Sequence, residues 1–121
     1  MDRALIIRKP HIDKILSGEK IWEMRSRPTK ITGRIGLIEA GSGLIVGEAN
    51  LVRTGIPIDN YLIAEQTKSW HCVDDLSKLK KWRYPWVIEK AKRYEKPIPY
   101  DHPKGAVIWV NVELPDLGEP K

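Results

Sequence analysis

The chain predicts an α+β fold that is mainly β, a small closed sheet with helices inserted at two places. Short runs rich in branched apolar residues recur along it, glycines and prolines punctuate those runs, and helical spacing of apolar residues is confined to two places. At 121 residues it can bury one core but hardly two.

Ala4 to Arg8 reads as the first strand. Pro10 then opens a helix in which Ile12, Ile15 and Leu16 share one side, and Gly18 ends it. A strand through Glu23 follows, and Pro28 and Gly33 bracket the loop after it. Arg34 to Ala40 and Leu44 to Val52 form a hairpin turned by Gly41-Ser42-Gly43. Asp59 is the expected cap of a helix running to about Gln66, and a second short helix starts at Asp74 or Asp75. Trp86 to Lys90 and Ala106 to Val112 supply the last two strands. One domain is expected over residues 1–112, with 113–121 a flexible C-terminal tail because Pro115, Gly118 and Pro120 stand there without an apolar pattern.

Ser17-Gly18-Glu19-Lys20-Ile21-Trp22-Glu23-Met24-Arg25 is the most informative stretch. Successive side chains of a strand point to opposite faces, so Trp22 and Met24 look toward a core while Glu23 and Arg25 look the other way. With Lys20 at the strand's start, the charged pair makes a polar cluster of both signs, suited to hydrogen-bonding a small planar group.

The pattern Gly18-x-Lys20-x-x-Glu23-x-Arg25 resembles the signature of the ASCH domain. The likeness extends through Leu5-Ile6-Ile7, Pro10 to Gly18, Gly47-Glu48-Ala49, Trp86-Val87-Ile88-Glu89, and Lys96-Pro97-Ile98-Pro99 to Gly105-Ala106-Val107-Ile108-Trp109, from about residue 3 to about residue 112. It implies a small PUA-like β-barrel with helices at its ends, whose side cleft holds RNA or a modified nucleobase. Lys20, Glu23 and Arg25 would stand at the mouth of that cleft, with Gly18 supplying the turn that delivers Lys20 and with Ser26 and Arg27 extending the polar rim.

Charge is segregated. Residues 68–96 hold nine cations against four anions, which leaves 12 of each sign elsewhere, so the whole net charge of +5 resides in that segment. Trp70, Trp82, Tyr84, Trp86 and Tyr94 are interleaved with the cations. Cations attract phosphates and flat rings stack on unpaired bases, so Trp70, Trp82, Tyr84 and Trp86 are candidate stacking residues. The expected partner is therefore RNA, another single-stranded nucleic acid or a modified nucleoside. Thr32 and Arg34 are weaker candidates for a phosphate contact.

An enzymatic alternative follows from the same resemblance. Some ASCH proteins remove the acetyl group of N4-acetylcytidine with a lysine near a threonine and a glutamate, and nuclease activity is ascribed to others. An amidohydrolase or ribonuclease of this kind would use Lys20 and Glu23 as catalytic residues. This chain departs from the amidohydrolase pattern by carrying Glu23 where that branch has threonine. A Lys20–Glu23 ion pair would also hold the amine charged, the wrong state for a base. Glu48 is the other acid candidate, on a strand where Val46 and Glu48 share one face.

Other chemistries have less support. His11, His71 and His102 show no ligand spacing for a metal, and Gly41-Ser42-Gly43 lacks the lysine and helix of a phosphate loop, so no metal or cofactor is expected. Cys72 beside His71 is a candidate nucleophile pair, but sequence neighbours seldom face each other. A single thiol suits a reducing cytoplasm, and the absence of a signal-like or long apolar run predicts a soluble protein with no membrane partner.

Overall fold

The computed structural model of the chain describes residues 1–116. Six strands, β1 (Asp2–Ile7), β2 (Trp22–Arg25), β3 (Gly33–Glu39), β4 (Leu44–Thr54), β5 (Tyr84–Pro99) and β6 (Trp109–Val112), form one sheet in the order β2-β5-β4-β3-β1-β6. β1 and β3 run parallel, which a crossover through α1 (His11–Leu16) and β2 permits, and every other pairing is antiparallel. The result is a mainly β, α+β fold. The sheet curls until its ends meet: Trp86 of β5 stacks on Trp109 of β6 at 5.8 Å, and Arg25 of β2 donates to the carbonyl of Ile6 in β1 at 2.8 Å. No ladder joins β2 to β6 among the described residues, so the expected closure is not found in the hydrogen bonding.

The curl follows from bulges. Val46 is passed over in both ladders of β4, between Gly47 paired with Leu37 and Ile45 paired with Ile38. Two consecutive residues then point the same way, and the alternation reverses beyond them. Val46, Ala49 and Leu51 accordingly reach the main core with Leu5, Ile7, Ile12, Ile15, Leu37 and Trp86, whereas Ile45 joins Ala4, Ile38, Tyr94, Val110 and Leu114 on the opposite face. At Gly47 a Cβ would collide with the carbonyl of Lys92 and the side chain of Leu16, so only glycine lets β5 and α1 approach this closely.

Local chemistry explains the smaller elements. Ile12, Ile15 and Leu16 of α1 are all buried, as their spacing requires. The cap of α2 (Tyr61–Gln66) is Asn60 rather than Asp59, its side chain accepting from the Ile63 amide at 2.9 Å. After α3 (Lys68–His71), Asp75 caps a 3-10 turn over Leu76–Lys80. These pieces cover β2 through a third apolar cluster of Met24, Ile58, Ala64, Val73 and Leu79.

Two strands differ in extent from the expectation. β5 runs nine residues beyond Lys90, to Pro99: its charged residues face solvent, while Tyr94 and Ile98 pack with Ile45 of β4 in the second apolar cluster. β6 starts only at Trp109. Residues 113–116 lie against the sheet: Leu114 is buried, its amide donates to Asp2 at 2.9 Å, and Arg34 bonds to the carbonyl of Pro115. The remainder of the expected tail, 117–121, lies outside the described residues.

Candidate functional site

β2 divides two environments. Trp22 and Met24 pack beneath the helices, and Glu23 and Arg25 face the concave side of the sheet, as the alternation predicts. Arg25 donates to one oxygen of Glu23 twice, from Nε at 3.1 Å and from Nη2 at 2.8 Å, and its guanidinium lies 5.5 Å from the Trp86 ring. Both bonds land on Oε2 of Glu23. Its other oxygen, Oε1, takes no hydrogen bond among the described residues.

Lys20 is the largest surprise. It lies in the interior, 1% exposed, rather than at an open mouth. Three contacts carry it there: the Lys20 amide donates to the Lys14 carbonyl at 3.0 Å, Ile21 donates to the Trp70 carbonyl at 3.0 Å, and the Lys20 amine donates to the carbonyl of His71. Gly18, at φ +86°, makes the reversal that leads into them. Burial lowers the amine's pKa; nearby Glu23 opposes that without cancelling it. No Lys20–Glu23 ion pair forms, since Glu23 is taken by Arg25.

Two histidines missed as site residues complete the cluster. His11, the first residue of α1, has a buried Nδ1 with no hydrogen-bond partner, and burial followed by the charge of Lys20 keeps its pKa low, against a smaller pull from Glu23. Nothing in its spacing marks it, because an unpartnered nitrogen is a property of the packed molecule. His71 is wholly buried and neutral: the Val73 amide donates to its Nδ1 at 2.9 Å, which makes Nε2 the protonated nitrogen that donates to the Ala64 carbonyl at 2.7 Å. Cys72 is not engaged with that ring, for its thiol lies 3.7 Å from the carbonyls of Glu19 and Ser69.

The remaining candidates separate into rim and wall. Ser26 and Arg27 are exposed directly beyond Arg25. Trp86 is 4% exposed and occupied by Trp109, by Arg25 and by a 2.8 Å bond from its Nε1 to the Arg27 carbonyl, so it walls the site and presents no free stacking face. Trp70 and Trp82 are 46% and 40% exposed, Trp70 resting on Trp22 at 5.0 Å. Tyr84 is half-buried beside Arg83.

Glu48 stands away from this cluster. The bulge at Val46 turns it to the opposite face, where Arg34 and Tyr94 hold it, so Val46 and Glu48 do not share a side and Arg34 is committed to an ion pair. A cavity of about 400 Å3 also lies elsewhere, beneath α2 and the 3-10 turn on the Met24 side of β2.

No helix among the described residues is long and apolar enough to cross a membrane. No curated protein matches the chain. ASCH domains are PUA-type modules associated with RNA binding and with hydrolase-like chemistry. The family model for the ASCH domain matches residues 5–98, most of the chain, which therefore belongs to the ASCH domain family.

Proposed function

We propose that the concave face of β2 binds an unpaired or modified base of RNA, or of another single-stranded nucleic acid, within a curled sheet of PUA-like barrel type. The observation that carries this reading is Glu23. Arg25 fixes one of its oxygens and leaves the other free to accept a hydrogen bond, while the unpartnered nitrogen of His11 offers a second polar contact. A base edge presents such donors and acceptors in one plane, and readout of splayed bases works through those edges. Arg27 and Ser26 at the rim and exposed Trp70 and Trp82 serve the flanking strand. A reducing, cytoplasmic compartment suits the single thiol.

Tryptophan fluorescence tests this directly, because Trp70 and Trp82 are exposed. Titration with single-stranded RNA at low salt is expected to give saturable quenching. Its absence with both RNA and DNA would overturn the proposal.

One observation favours a second reading as a hydrolase. Glu23 is paired to Arg25, and its remaining pull on the Lys20 amine is outweighed by burial, which eases loss of the amine's proton. A neutral amine can then act as base, with Glu23 relaying protons, in an amidohydrolase or ribonuclease. Release of acetate from N4-acetylcytidine, or cleavage of RNA, abolished by Lys20→Ala supports it. Turnover unchanged in that variant removes it.

A further inference from the structure

A cavity lies on the other side of β2, lined in part by residues of the same apolar cluster as Met24. The cavity of about 400 Å3 there falls within the roughly 300–1,000 Å3 typical of small-molecule pockets. Its apolar walls come from Ile58, Ala64, Leu76 and Leu79, three of them in the same buried cluster as Met24. Tyr61, 69% exposed, stands at its edge.

Arg83 makes this more than a packing void. Arg83 lines the cavity; its carbonyl accepts from the Ile58 amide at 2.8 Å, and its guanidinium lies 5.8 Å from the Tyr84 ring. Its Nε is buried with no hydrogen-bond partner. A buried cationic N–H without an acceptor is rare in folded proteins and calls for one. Lys80 lines the same cavity, while the one carboxylate there, Asp59, accepts from Asn60 at 3.2 Å and forms no ion pair with Arg83 among the described residues.

We infer that this cavity binds a small organic anion, a carboxylate or phosphate head on a flat apolar body. The head accepts from Arg83 Nε, with Lys80 supplying further positive charge, and the body lies between Leu76, Leu79 and Tyr61. Glu23 and Arg25 point away from it across β2, so this site does not rest on the nucleic-acid reading.

The test is titration of the 15N-labelled full chain with phenyl phosphate, followed by amide resonances. Saturable shifts centred on residues 58–64 and 76–83 are expected at millimolar concentration or below. Benzylamine, of opposite charge, and inorganic phosphate, without the apolar body, should each bind at least tenfold more weakly. Arg83→Gln should weaken phenyl phosphate at least tenfold. Because that change also alters packing on Tyr84, Ser77→Trp at the exposed rim provides a second arm: it fills the cavity and should abolish the shifts while the remaining spectrum stays folded. Glu23→Gln should leave the probe's affinity unchanged, which separates this site from the concave one. The inference falls if phenyl phosphate gives no saturable shift, if Arg83→Gln and Ser77→Trp both bind it normally, or if benzylamine or inorganic phosphate binds as tightly.

Discussion

Two buried carboxylates, one on each face of the curled sheet, are held by an arginine in opposite ways. Glu48 accepts from Arg34 on both oxygens, at 2.9 and 2.7 Å, and from Tyr94 at 2.7 Å. Burial alone would raise its pKa, but those bonds keep it below the ordinary value; burial first, and then the bond to Glu48, raise the pKa of Tyr94. Glu23 accepts twice on a single oxygen and keeps the second open. Saturated groups stabilise a fold, and groups left partly unsatisfied at a concave surface are available to a ligand. The same pair of residue types thus forms a saturated structural network on one face and, in the function proposed above, a recognition site on the other.

The largest expected effect breaks the saturated side. Glu48→Gln replaces one accepting oxygen by a donor facing Arg34, and should lower stability by about 2 kcal/mol, a figure already reduced because the Arg34 side chain is 41% exposed. Urea unfolding measures it, and RNA affinity should remain within twofold. A variant as stable as the parent would show that the network contributes nothing net.

Glu23→Gln sharpens the contrast from the other side. It keeps shape but weakens both the hold of Arg25 and the free acceptor, so RNA affinity should fall about tenfold, or roughly 1.4 kcal/mol. Loss of stability should be smaller than for Glu48→Gln, since only one oxygen is engaged. Equal binding by parent and variant in the fluorescence titration would end the assignment of Glu23 to recognition.

How much of this could be read from residues alone varies with the physics involved. α1 and the hairpin of β3 and β4 were legible because Ile12, Ile15 and Leu16 recur at helical spacing and because Gly41 and Gly43, both at positive φ, mark a turn between apolar runs. The separation of Met24 from Glu23 and Arg25 followed from strand alternation. Glu48 was misplaced because one inserted residue, Val46, reverses that alternation without leaving a compositional trace. The second half of β5 was not expected as strand because charged residues crowd its sequence and leave little apolar alternation. Trp86 resembled a stacking residue by its basic neighbours, yet Trp109, distant in sequence, claims its face. His11 and Arg83 could not be singled out at all, since what distinguishes them is an atom that finds no partner after folding.

Acid separates the histidines from the carboxylates. His71 and His11 have pKa values lowered first by burial, so the unfolded chain takes up protons below about pH 6.5 while the folded chain resists them. Their contribution is therefore complete above that pH and is lost as pH falls, by at most about 1.4 kcal/mol per pH unit for each histidine. Glu48, whose pKa is also lowered, adds its loss only below its ordinary 4.5. The unfolding free energy from urea titration should drop by about 1 kcal/mol between pH 7 and pH 5.5. His71→Gln, which can still donate to Ala64 and accept from Val73, should flatten part of that slope. A flat profile in the parent would contradict the buried neutral state of both rings.

The smallest effect distinguishes base contacts from phosphate contacts within the concave site. Arg27 is exposed at the rim, and only its carbonyl is tied inward, by Trp86. If its guanidinium meets a phosphate, Arg27→Gln should cost about two- to threefold in RNA affinity and reduce the slope of log affinity against log salt by roughly 0.7, the counterion contribution of one contact on a single strand. Glu23→Gln should lower affinity more while leaving that slope unchanged, because a carboxylate reading a base edge releases no condensed counterion. If the two variants alter the salt slope equally, both residues act through the general electrostatic field and Glu23 does not read the base.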